Sequence, residues 1–202
     1  MVHTTDRERG SSALDDLRIR SALRSRLLAE HARQPDTVLL EELGVCRGRV
    51  RVDIAVVNGL LCGYEIKSDR DNLRRLATQI DVYGKVFDQA TLVVGNRLLA
   101  EALEVVPRWW GVLRVLTSPD GLEFRTIRRA RTNPERNARA LVELLWFEHA
   151  LALLEQRNAA RGLRGKPRRV VWDRVCDCFD VDEIAEAVRV RLKARATLQP
   201  PG

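Results

Sequence analysis

The sequence is short of the residues from which many sites are built. It has three histidines (His3, His31, His149) and four cysteines (Cys46, Cys62, Cys176, Cys178). Cys176 and Cys178 are separated by a single residue, whereas zinc-binding pairs are spaced by about two to four. No histidine stands at ligand spacing from a cysteine, so neither structural zinc nor a disulfide framework is expected. No apolar run is long enough to span a bilayer and no signal peptide opens the chain, so a cytoplasmic protein without a membrane partner is expected. Internal repeats and low-complexity tracts are absent, which excludes solenoids.

What is present supports a packed domain. The chain has 202 residues, 45% of them hydrophobic, and a formal net charge of +7. That hydrophobic content argues against wholesale disorder. Arginine dominates the cations, and its guanidinium suits bidentate phosphate contacts. A polyanionic partner fits the charge, as does an arginine-rich surface with no partner.

Periodicity gives the order of elements. A helix is predicted from residue 14 to about residue 32, on Leu14, Leu17, Ala22, Leu23, Leu27 and Leu28. A strand follows over residues 38–45. A hairpin occupies residues 51–67, its turn at Asn58-Gly59, where both residues tolerate positive φ. Ser68-Asp69-Arg70-Asp71 resembles a capping box for the next helix, whose apolar stripe runs Leu73, Leu76, Ala77, Ile80, Tyr83, Gly84, Phe87. Strands are predicted over residues 91–94, 109–115 and 121–127, with a helix over 97–105 broken by Pro107. Trp109-Trp110 could stack on bases or pack as the start of a core strand.

Beyond Thr132 the pattern turns helical. Asn133 as cap and Pro134 at the first position open one long helix that Gly162 ends. A basic loop carries Arg161, Arg164, Lys166, Arg168 and Arg169. A short helix over residues 170–179 follows. The last helix is capped by Asp180-Val181-Asp182-Glu183 and runs to about Arg195. This segment reads as a nucleic-acid contact or as an appendage that only packs on the core.

The hairpin carries the chemistry. Asp53 lies on its first strand; Glu65 and Lys67, two apart on the second, share one face. Such a charge cluster is costly unless paired or bound to metal. Gln79 and Tyr83, four apart, share one face of the next helix. Upstream, Glu41 and Glu42 are both acidic, and spacing alone does not choose between them.

Asp53, then Glu65-Ile66-Lys67, resembles the PD-(D/E)xK nuclease motif in its variant without the proline. Gln79 and Tyr83 match the Q-x-x-x-Y element of the RecB-like branch, and Glu42 matches the acidic residue many members place before the hairpin. The resemblance implies an α/β restriction-endonuclease-like core, a mixed central sheet flanked by helices, with a C-terminal helical appendage. With the polar N-terminus over 1–12 expected to be flexible, the core is placed over 13–131, the helical extension over 132–197 and a tail over 198–202. The resemblance further implies Mg2+ or Mn2+ held by Glu42, Asp53, Glu65 and the Ile66 carbonyl, with Lys67 acting on the attacking water or the phosphoryl oxygens. Gln79 and Tyr83 would position those groups. On that reading the protein is a metal-dependent deoxyribonuclease of repair, recombination or defence against foreign DNA. DNA is its partner, and a homodimer is compatible. The alternative is a non-catalytic nucleic-acid-binding or regulatory module on the same fold.

Overall fold

The computed structural model describes residues 15–198. The N-terminus expected over 1–12, Leu14 and most of the expected tail lie outside that range. The elements are α1 (Asp16–Glu30), β1 (Val38–Val45), β2 (Val50–Val57), β3 (Leu61–Lys67), α2 (Leu76–Val86), β4 (Gln89–Val94), α3 (Leu99–Val105), β5 (Gly111–Ser118), β6 (Gly121–Arg128), α4 (Ala138–Val142), α5 (Phe147–Glu155), α6 (Arg168–Cys178) and α7 (Val181–Leu198).

The strands form one mixed sheet in sequence order, β1 to β6. Pairing is antiparallel from β1 to β3, parallel across β3–β4 and β4–β5, and antiparallel again at β5–β6. A parallel pair needs a crossover; α2 and α3 supply the two. This is the mixed α/β architecture, with a helical C-terminal segment, that the sequence predicts.

Two apolar layers sandwich the sheet. On one side Ile19, Leu23 and Leu27 of α1 pack on Ile54, Val56, Ile66, Val93 and Val115. On the other, α2 and α3 share a larger core with helices α4 to α7. The C-terminal segment is therefore built into the same core as the sheet, and α7 reaches β1 and β2. The buried row of α1 is Ile19, Leu23 and Leu27, four apart, whereas Leu17 is 71% exposed and Leu28 also faces water. The predicted stripe includes those two outer leucines and omits Ile19.

Four local expectations are corrected. The hairpin loop spans residues 58–60, since Val57 pairs with Leu61. The Asn58 side chain accepts the Leu60 N–H at 2.9 Å, and neither Asn58 nor Gly59 has positive φ. A side-chain turn thus replaces the two-residue primed turn. Second, Ser68 and Asp71 do bond one another, but the helix starts only at Leu76. Third, the expected long helix is two short ones, α4 and α5, separated by residues 143–146. Fourth, Asn137 caps α4, its side chain accepting the Ala140 N–H at 3.0 Å. Asn133 instead donates to the Gly84 and Phe87 carbonyls at 2.7 Å each, closing the C-terminus of α2. The last helix starts as predicted: Asp180 accepts the Asp182 and Glu183 N–H groups at 2.9 Å, and Glu183 accepts the Asp180 N–H at 3.0 Å.

Candidate functional site

The hairpin ladder stops early. The last β2–β3 pair at the open end is Ile54–Tyr64, one step short of Asp53 facing Glu65. Asp53 fills the gap itself, accepting the Ile66 N–H at 2.7 Å. Ile66 thus joins the cluster through its N–H. Its side chain is core beneath α1.

Glu65 is 2% exposed and fully engaged. One carboxylate oxygen accepts from Lys67 and from the Gln79 amide. The other accepts the Tyr83 hydroxyl at 2.8 Å. Tyr83 lies flat on β3 because position 63 is glycine: a Cβ there would stand 2.8 Å from the Tyr83 ring. Aromatic neighbours hold the ring, Phe87 at 4.9 Å and Trp110 at 5.0 Å between centroids. Trp110 is fully buried, so it packs in the core rather than facing bases, with Trp109 against it.

The residue that completes the cluster is Arg20 of α1, which sequence reasoning missed. Its guanidinium donates to Asp53 at 2.7 Å and also to Glu42, and lies 3.3 Å from Asp16. Glu42 has φ 54°, turned out of the regular strand, and its other oxygen lies 3.4 Å from Arg51. Glu41 pairs with Arg24 at 2.9 Å. Of the two acidic candidates, Glu42 is therefore the one joined to Asp53, and the joint is a cation. The signal for Arg20 was faint: it neighbours the buried row of α1, which becomes informative only once α1 is known to lie over β2 and β3.

Burial pushes the Asp53 carboxyl up to about 7, and the nearby Glu65 charge adds to this; the Ile66 N–H and Arg20 oppose it. Burial likewise holds the Tyr83 hydroxyl well above its ordinary value, helped by Glu65, so Tyr83 remains a donor. For Arg20, burial favours the neutral form but Asp53 and Glu42 outweigh it, and the net direction is up.

Asp53, Glu65, Lys67, Gln79 and Tyr83 are thus brought together. The positive charge beside the two carboxylates comes from Arg20 and Lys67. Among the described residues no three His, Cys, Asp or Glu side chains converge as a metal site needs. Every oxygen of the two carboxylates thus accepts at least one hydrogen bond from within the cluster.

The basic residues stand apart on the α5–α6 connection and the start of α6. Arg161, Arg164, Lys166, Arg168 and Arg169 are all exposed. Arg164 pairs with Glu155 at 2.6 Å. None of the described hydrogen bonds joins them to the carboxylate cluster. No helix among the described residues is long and apolar enough to cross a membrane.

Comparison with known proteins corrects the family reading. The model of the family described as "Bacteriophage P4 protein cII" matches residues 11–199. Protein cII of Enterobacteria phage P4 is 30% identical over 96 residues, 48% of this chain. That match covers 36% of the relative's own length. No solved structure matches the chain. The PD-(D/E)xK assignment, and with it the expected metal-dependent deoxyribonuclease of repair, recombination or defence, is overturned by this match. The shared pattern of Asp53, Glu65, Lys67, Gln79 and Tyr83 assembles into a mutually satisfied ion network, and such a network does not of itself make a hydrolase. By a match that spans almost its whole length, the chain belongs to the bacteriophage P4 protein cII family.

Proposed function

We propose that the protein is a non-catalytic nucleic-acid-binding regulatory module. It holds DNA through the basic connection and the start of α6, and its carboxylate cluster serves as a joint between α1, the hairpin and α2. The observation that carries this reading is the composition and exposure of residues 161–169. They hold five cations and no carboxylate, all five cations face water, and among the described residues only Arg164 is ion-paired. Such a stretch releases counterions when it meets phosphates. The free backbone N–H groups at the start of α6, which begins at Arg168, add positive potential there. The net charge of +7 favours the same partner. The regulatory part of the reading follows from binding without turnover, because such a protein acts by occupying its site. Arg20 already pairs with Asp53 and Glu42, and Lys67 with Glu65, so we take the joint to work without magnesium or manganese.

The test is fluorescence anisotropy on duplex DNA over a range of salt. Replacing Arg161, Arg164, Lys166, Arg168 and Arg169 by serine should flatten the slope of log affinity against log salt by roughly one unit per lost contact. An unchanged slope refutes the assignment of the surface. Supercoiled DNA incubated with wild type and magnesium should stay intact; cutting that Asp53→Ala abolishes would refute binding without catalysis.

A further inference from the structure

A cavity of about 340 Å³ opens beside the basic connection. We propose that it receives one unpaired nucleotide unit, its base stacked on Trp146 and its phosphate held by Arg47, Arg168 and Arg169. The proposal rests on the nucleic-acid reading above and names what that surface takes.

Three segments distant in sequence build the cavity. The β1–β2 loop contributes Arg47, where Cys46, Arg47 and Gly48 all have positive φ, at 48°, 59° and 81°. Two successive non-glycine residues in that region are costly, and the result is an arginine projected from a tight loop. The α4–α5 region contributes Arg139, Glu143 and Trp146, and α6 contributes Arg168, Arg169 and Trp172. Four arginines thus face one glutamate. Arg139 is occupied, with Glu143 at 3.8 Å and Asp173 at 3.3 Å. Arg47, Arg168 and Arg169 are exposed and make no side-chain hydrogen bond or ion pair among the described residues.

Trp146 is 57% exposed, the largest side chain left so open among the described residues. It is nevertheless held in place. The Arg191 guanidinium lies 3.6 Å from its ring centroid, and His149 meets it edge-on at 5.9 Å. Arg191 is itself buried and does not line this cavity; it lies along a neighbouring groove between α5 and α7. The indole therefore has one face backed by a cation and stands at the wall of the cavity, which is how a stacking platform is built.

The second observation is Trp172. It is more than nine-tenths buried, Arg139 stacks on its ring at 5.1 Å, and its indole N–H has no acceptor. A buried donor without a partner is costly; this N–H is closed to solvent, so a phosphate oxygen or base carbonyl in the cavity would partner it through a small shift of the Trp172 ring. Glu143, 16% exposed, can accept from a base amino group. The volume is at the small end for ligand sites. It suits a single nucleotide, and a paired base cannot offer its face to Trp146.

The experiment compares three probes on the full chain: a fluorescein-labelled single-stranded deoxyoligonucleotide, the same sequence as duplex, and the mononucleotide dAMP by calorimetry. Wild type should bind the single strand. Trp146→Ala should weaken that binding roughly 10-fold or more, Trp146→Phe should restore part of it, and duplex affinity should change less than about 2-fold. Trp172→Phe, which keeps an aromatic ring but removes the N–H and part of the indole volume, should also weaken single-strand binding, with its melting temperature measured as a control for folding. Saturable dAMP binding would mean the unit is taken as a free nucleotide as well; binding of the strand alone would place the ligand in a polynucleotide. Single-strand affinity unchanged in Trp146→Ala overturns the proposal. Wild type that binds duplex only also overturns it while leaving the basic-loop reading intact. Wild type that binds neither form overturns both.

Discussion

Asp53 makes a quantitative test of how the cluster is balanced. Its carboxyl stands at about 7 in the fold against 3.8 when free, because burial and Glu65 outweigh Arg20 and the Ile66 N–H. Between those values the folded chain keeps a proton that the unfolded chain releases. Stability contributed by this group is therefore full below about pH 4 and is lost as pH rises through 7, the reverse of an ordinary salt-bridged aspartate. A tenfold difference in proton affinity between the folded and unfolded chain corresponds to about 1.4 kcal/mol, so the loss between pH 5 and pH 8 is on the order of 2 to 3 kcal/mol. Asp53→Asn keeps the shape and removes the titration. Its amide oxygen can still accept the Ile66 N–H, and at pH 5 it stands in for the protonated acid. Urea unfolding followed by circular dichroism at pH 5, 6, 7 and 8, for both proteins, isolates the group because every other titration is shared. The stability of wild type relative to Asp53→Asn should fall steadily over that range, so that the variant equals or exceeds wild type at pH 8. A difference that stays flat, or that moves in wild type's favour as pH rises, refutes the balance described here and means Arg20 dominates Asp53.

Two further outcomes follow from the same network. Tyr83→Phe leaves one oxygen of the buried Glu65 without its donor and should cost about 1 to 3 kcal/mol, read from the urea midpoint at pH 7; no change would mean the hydroxyl bond contributes nothing. Arg20→Ala removes the cation shared by Asp53 and Glu42, so millimolar magnesium should raise the melting temperature of that variant while leaving wild type unmoved; a clear rise in wild type would show that metal enters with Arg20 still in place.

The sequence and the structure agree best where a pattern is local. Asn58 and Gly59 sit between two runs of strand residues, so the hairpin is legible even though the turn geometry is not: the Asn58 side chain bonds Leu60 and makes positive φ unnecessary. Gln79 and Tyr83 can be placed against Glu65 because four residues make one helical turn. Arg20 cannot, since its partners lie 22 and 33 residues away and only the packing of α1 brings them together. The break at residues 143–146 is hidden because Leu144, Leu145 and Trp146 continue an apolar run that reads as helix. Trp146 reads as packing surface, yet it ends exposed at the entry to α5. The family reading failed for a different reason. A motif of five residues reports which side chains meet, and here they do meet, but mutual neutralisation and metal-assisted hydrolysis draw on the same residue types.

Asp88, at the foot of β4, bears on how the chain is made. It is almost fully buried. It accepts the Leu61 N–H at 2.7 Å and the Arg136 guanidinium at 2.7 Å, and Arg189 of α7 lies 3.2 Å away. The last of these is 101 residues downstream. On the ribosome the sheet strands emerge first, and for roughly the time taken to add a hundred residues, several seconds at ordinary elongation rates, Asp88 lacks one of its two cations and the α2 side of the sheet lacks its cover. Arg136 can pair with Asp88 earlier, but the nascent chain must wait for α7 before the second cation and the cover arrive, so ribosome-bound chains stalled before Arg189 should be more open to proteases and to chaperones than the released chain.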